Sequence, residues 1–120
     1  METPKIFESE YRFCQILWDA EPVGSTDLVR LCREKLGWKK STTYTVIKRL
    51  SERGVVRLED AVVTTLVSRE QVQRSESREV VDRAFGGSLP RFIAAFAGGK
   101  KLTRAEAEEI RRLIDEYEEA

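Results

Sequence analysis

Trp38-Lys39-Lys40-Ser41-Thr42-Thr43-Tyr44-Thr45-Val46-Ile47-Lys48-Arg49-Leu50-Ser51-Glu52-Arg53-Gly54-Val55-Val56 is the stretch that decides the fold. It reads as a helix over about residues 41–53. Val46, Ile47 and Leu50 fall on one side, hydroxyls and cations on the other. Ser41 or Thr42 is placed to cap it and Gly54 to stop it. Val55 and Val56 then open a β-branched run. A helix that touches DNA phosphates and base edges while resting on a small core needs this mixture.

Working outward, the preceding residues give two more helices. Residues 9–20 place Phe13, Cys14, Ile16, Leu17 and Trp18 on a wide apolar stripe, with Ser9 as cap and Glu10 near the positive helix end. Glu21-Pro22-Val23-Gly24 reads as a turn. Ser25 or Thr26 then caps a helix to Leu36, with Leu28, Val29, Leu31 and Cys32 facing inward and Gly37 closing it. After the third helix, residues 55–58 and 61–67 pair as strands about a tight turn at Glu59-Asp60. Three helices and a short hairpin make a winged helix-turn-helix.

Three further helices follow. Ser68 caps one that ends at Gly86-Gly87. Ser88 or Leu89-Pro90 opens a second, bounded by Gly98-Gly99. Thr103 and Glu106 box the start of a third. Leu89, Phe92, Ile93, Phe96, Ile110, Leu113 and Ile114 are too many apolar side chains for one isolated layer, since each contributes about 1.5–3 kcal/mol when buried. A second copy bringing the same surface by two-fold symmetry covers them most simply. The expected class is α+β, mostly helical. A winged-helix DNA-binding domain spans residues 1–67 and a helical dimerisation segment residues 68–120.

Charge placement says more than net charge, which is zero. Residues 30–57 carry nine Lys/Arg against two acids, a net +7, whereas residues 106–120 carry seven acids against two arginines, a net −5. The basic middle is the electrostatic footprint of a polyanion partner. Lys39, Lys40 and Lys48 are candidate phosphate contacts. Ser41 and Thr42 are candidate caps and phosphate donors, and Tyr44 and Thr45 candidate readers of base edges or thymine methyls. Arg49 has two readings, a DNA contact or a brace paired with an acid. Trp18 reads as core, and Trp38 as a staple between the third helix and the core. The acidic wing tip, Glu59-Asp60, is repelled by phosphate, so the wing reads as a structural edge.

Other chemistry finds little support. There is no histidine, and Cys14 and Cys32 stand alone on apolar faces, read as buried thiols in preference to a disulfide. No metal, cofactor or enzymatic constellation is expected. No window suits membrane insertion and the N-terminus lacks a signal pattern, so a cytoplasmic protein is expected. The rival to a DNA-binding regulator is a winged-helix module that binds another protein and no DNA.

The order and spacing of several segments resemble the β-lactamase and methicillin-resistance repressors of the BlaI/MecI type. These segments are Ser9-Glu10-Tyr11 through Ile16-Leu17-Trp18, Trp38 followed by Ser41-Thr42, and Val46-Ile47-x-Arg49-Leu50-x-x-x-Gly54. Val80-Val81-Asp82-Arg83-Ala84-Phe85-Gly86-Gly87-Ser88 and Leu102-Thr103-x-x-Glu106-x-x-Glu109-Ile110-x-x-Leu113-Ile114 complete the set. The resemblance implies a homodimeric bacterial repressor on a palindromic double-stranded DNA operator with TACA/TGTA-like half-sites. It also implies release by proteolysis, triggered in one branch by a membrane sensor-peptidase. The matching bond here is Ala95–Phe96, where the family's usual Asn-Phe is Ala-Phe. The cysteine-rich C-terminal motif of copper-responsive relatives is absent from this sequence.

Overall fold

A computed structural model describes residues 3–119. The element order is α1 (Glu8–Ala20), β1 (Val23–Gly24), α2 (Ser25–Leu36), α3 (Lys40–Glu52), β2 (Val56–Glu59), β3 (Val62–Thr65), α4 (Arg69–Phe85), α5 (Leu89–Gly99) and α6 (Arg104–Tyr117). The strands form an antiparallel sheet in the order β1-β3-β2. This is a mostly helical α+β winged helix, as expected. The chain divides into two compact units, Met1–Ser77 and Arg78–Ala120. The division falls inside α4, ten residues beyond the Val67 boundary expected from sequence.

The first unit holds the core. Phe13, Cys14 and Leu17 of α1, Leu28 and Cys32 of α2, and Val46, Ile47 and Leu50 of α3 are buried together. Val55, Val56, Val63, Val67 and Val72 close it from the sheet side and from α4. Both thiols are free and buried. Burial pushes the Cys14 thiol up to about 12, with Glu10 adding to it, so this sulfur is protonated and unreactive at neutral pH. Trp38 stacks on Phe13 at 6.0 Å with the rings nearly parallel, the staple expected of it.

Several helix starts differ from the expected caps, and for one reason: the backbone enters the helix earlier than the first Ser or Thr. The residue before α1 is Phe7, not Ser9, and its N–H donates to Glu10 Oε1 at 2.9 Å. Gly24 precedes α2, and Ser25 is already helical and buried. Lys39 precedes α3, so Ser41 and Thr42 lie in its first turn and cap nothing. The expected cap forms at α4, where Ser68 and Gln71 exchange hydrogen bonds, and the expected box forms at α6, through Thr103 and Glu106. Ser88 accepts from the Arg91 N–H at α5. Gly98 and Gly99 form the last turn of α5 and do not interrupt it.

The segment read as a turn before α2 contains a short strand. Val23 and Gly24 pair with Val63 and Val62, and the Ser25 N–H donates to Ala61 O at 2.8 Å. Glu21 accepts from both the backbone and the hydroxyl of Thr65. The hairpin turn sits one residue later than expected, at Asp60-Ala61. Both residues are left-handed, with φ of 51° and 61°, as a two-residue type I′ turn requires. Aspartate tolerates that region; alanine pays for its Cβ there, by roughly 1 kcal/mol. Ala61→Gly is therefore expected to stabilise the protein by about 0.5–1 kcal/mol, read as a raised urea midpoint with an unchanged slope.

Candidate nucleic-acid interface

The residues proposed to read DNA converge on one element. The buried stripe of α3 is Thr43, Val46, Ile47 and Leu50, at helical spacing. Lys39, Lys40, Ser41, Thr42, Thr45, Lys48 and Arg49 are all exposed. The start of α3 has no side-chain cap and no acid in its first turn, whereas α1, α2, α4 and α6 each carry one there. The first main-chain bond of α3 runs from the Thr43 N–H to Lys39 O, so the N–H groups of Lys40, Ser41 and Thr42 precede the ladder. Uncapped donors, two exposed hydroxyls and two flanking lysines make an arrangement suited to a phosphate.

Two of the proposed base readers are already engaged. The Tyr44 hydroxyl donates to Ser25 Oγ at 3.2 Å, and its ring is half-buried against the core. Thr45 donates its hydroxyl to Ser41 O at 2.9 Å, which leaves its methyl as the group suited to a thymine contact. Of the two readings of Arg49, exposure at the α3 surface suits contact. The brace is Arg53, four residues on.

Arg53 pairs with Glu10 of α1, donates to Lys5 O at 3.3 Å and lies 5.2 Å from the centre of the Phe7 ring. Glu10 is only 6% exposed. Burial alone would raise its pKa. The Arg53 hydrogen bond, the Phe7 N–H and the charges of Arg53 and Arg49 outweigh that and hold it below the ordinary carboxylate range. The sequence did carry a signal for this pair. Glu10 lies on the Phe13, Cys14, Leu17 stripe at i, i+3, i+4, i+7, where a carboxylate has to find a partner.

The wing is less suited to DNA. Glu59, Asp60 and Ala61 are exposed at its tip, and Arg57 stands 4.0 Å from the Glu59 carboxylate.

In the second unit, α5 and α6 bury no residue. Leu89, Ile93, Phe96, Leu113, Ile114 and Tyr117 are all exposed, Phe96 by 55%. Phe92 meets Phe85 edge-on at 5.5 Å and Phe96 at 6.3 Å. Phe92, Ile93, Phe96, Leu102 and Ile110, with Glu106, line a cavity of about 280 Å³. Ala95 and Phe96 are exposed within the helical span of α5. Among the described residues, no group of His, Cys, Asp and Glu could hold a metal, and no helix is long and apolar enough to cross a membrane.

The chain is 24% identical over 116 residues to an uncharacterized 16.5 kDa protein in the ptsI 3′ region of Latilactobacillus sakei, covering 93% of this chain and 80% of that one. The family model described as penicillinase repressor matches residues 6–116, so the match takes in α1 through nearly all of α6. The chain belongs to the penicillinase repressor family, a family of transcriptional repressors and not of enzymes.

Proposed function

We propose that the protein is a homodimeric repressor of the bacterial cytoplasm. It binds a palindromic double-stranded DNA operator through α3 and represses by occluding a promoter. The observation that carries this reading is the two-sidedness of α3. One side is core, and the other exposes Lys39, Lys40, Ser41, Thr42, Thr45, Lys48 and Arg49 around an uncapped, acid-free start. Lys39, Lys40 and Lys48 contact phosphates, with Ser41 and Thr42 donating beside them. Thr45 and Arg49 reach the groove floor, and Tyr44 contributes from the edge of the helix.

Dimerisation belongs to residues 68–120, through Leu89, Phe92, Ile93, Phe96, Ile110, Leu113 and Ile114. A second copy matches that surface because the same apolar residues recur on it by symmetry. Induction by a protease or a membrane sensor-peptidase pathway would act at Ala95–Phe96. That route requires α5 to unwind first, since the bond is held in a helix.

The test is salt-dependent binding to duplexes selected from a random pool. Lys40→Ala and Lys48→Ala should each weaken binding to all sequences and lower the slope of log affinity against log salt by about one. Parent-like binding by both variants at several salt concentrations refutes the α3 assignment. The acidic wing tip favours one second reading, a protein-interaction module. A parent chain that selects no duplex would support that reading.

A further inference from the structure

We infer that Ser25 is a positioning residue that ties the front half of α3 to the wing, with Tyr44 as the fastening on the α3 side. The wing then serves DNA binding as a strut and not as a contact. The inference rests on the proposed reading of α3 as the DNA-binding element.

Ser25 is the first residue of α2 and is 7% exposed. Its N–H donates to Ala61 O, in the wing turn, at 2.8 Å. Its hydroxyl oxygen accepts from the Tyr44 hydroxyl at 3.2 Å. One buried residue thus bonds to the wing through its backbone and to α3 through its side chain. The wing side of this link is well anchored. Val23 and Gly24 pair with Val63 and Val62, and Glu21 accepts from the N–H and the hydroxyl of Thr65.

On the α3 side the link enters at Tyr44, which is half-buried on the border between the core stripe and the exposed face. Lys40, Ser41 and Lys48 stand three or four positions from it and are its neighbours on the helix surface. A roll of α3 at Tyr44 therefore moves these three together. The other end of α3 has its own fastening, Arg53 on Glu10. A tyrosine hydroxyl has one proton. While Tyr44 gives it to Ser25, none is left for a phosphate oxygen, so Tyr44 holds the DNA-facing side in place and does not itself donate to the backbone. The strut also gives a use to a wing whose acidic tip, Glu59 and Asp60, is repelled by phosphate.

A neutral hydrogen bond shifts the balance between a held and a released helix by about two- to tenfold. Apparent affinity falls with the fraction of chains in the competent pose. The experiment uses the full-length chain with Ser25→Ala, Tyr44→Phe and their combination. Binding to duplexes selected from a random pool is measured well below the unfolding transition of each variant. Each single variant should bind about three- to tenfold more weakly, with the parent's salt slope, because no phosphate contact is lost. The double variant should bind no worse than Tyr44→Phe, since the same link is removed once. Without DNA, the Ser25 amide should exchange at least about threefold faster in Tyr44→Phe, and the Leu50 amide should change less. Losses that multiply in the double variant overturn the inference, because Tyr44 would then act on DNA independently of Ser25. Parent-like binding by both single variants, or a reduced salt slope in Tyr44→Phe, overturns it as well. Unchanged exchange at Ser25 overturns the link to the wing. A parent chain that selects no duplex refutes the DNA-binding reading instead, and the positioning role falls with it.

Discussion

Leu113→Glu combined with Ile114→Glu is expected to convert the proposed dimer to a monomer while leaving the winged helix intact. In the single chain these side chains are 45% and 58% exposed, so a carboxylate at either position stays hydrated and costs the folded monomer little. In a two-fold interface the same change places four carboxylates against apolar surface. Each substitution forfeits about 1.5–3 kcal/mol of burial and adds an unpaired charge to be desolvated. The dimer dissociation constant should rise at least about 1,000-fold, equivalent to roughly 4 kcal/mol. Affinity for a full operator should fall by about 10²–10³, towards that of one half-site, because the second site is no longer reached intramolecularly. Sedimentation velocity and binding anisotropy on the same samples read both effects. A variant still dimeric at low micromolar concentration refutes the assignment of α6 to the interface.

The other large effect concerns the brace behind α3. Glu10→Ala removes the partner of Arg53 and the acceptor of the Phe7 N–H together. Breaking a buried pair by removing one partner costs about 3–5 kcal/mol. The Arg53 side chain keeps 30% exposure and can rehydrate in part, so the lower end, about 3 kcal/mol, is expected. Thermal unfolding of the first unit should then drop by about 15 °C. Glu10→Gln, which retains an acceptor, should lose less. The pH dependence has a definite sign. Folding depresses the Glu10 pKa, so its stabilisation is fully present above the unfolded-state value, near 4.3, and is lost as pH falls through the folded value. Glu10→Gln should flatten the parent's loss of stability below about pH 4. An equal acid slope in the two proteins would exclude Glu10 as the titrating group.

Local and periodic features were legible in the chain, and pairings between distant residues were not. Five of the six helices follow from apolar spacing, and α4 from its Ser68 cap and Gly86-Gly87 stop. Ser9, Ser41 and Thr42 misled as caps because a hydroxyl signals an available acceptor and does not fix where the backbone turns helical. β1 was missed because two residues show no alternation, and its pairing to Val62 and Val63 is settled only by the fold. Of the α3 surface, the cations and hydroxyls were visible directly. The engagement of Tyr44 by Ser25 was not, because it depends on how α2 and α3 cross. Glu10–Arg53 and Asp19–Arg69 join residues 43 and 50 positions apart. Only the intrusion of Glu10 into an apolar stripe hinted at the first.

The short strand between α1 and α2 has a consequence for how the protein is made. Its partners, Val62 and Val63, are synthesised some forty residues later, and the indole of Trp18 waits for Val67. As the chain leaves the ribosome, the three helices can meet through Glu10–Arg53 and Tyr44–Ser25, but the valines that close their core from the sheet side are still missing. The contacts that tie the turn before α2 to the sheet lie at or beyond Ala61. Such non-local pairings close late because loop entropy is lost before any contact compensates for it. A nascent chain stalled at Gly54 should therefore remain protease-sensitive. One that has exposed Val72 should be resistant, well before α5 and α6 exist.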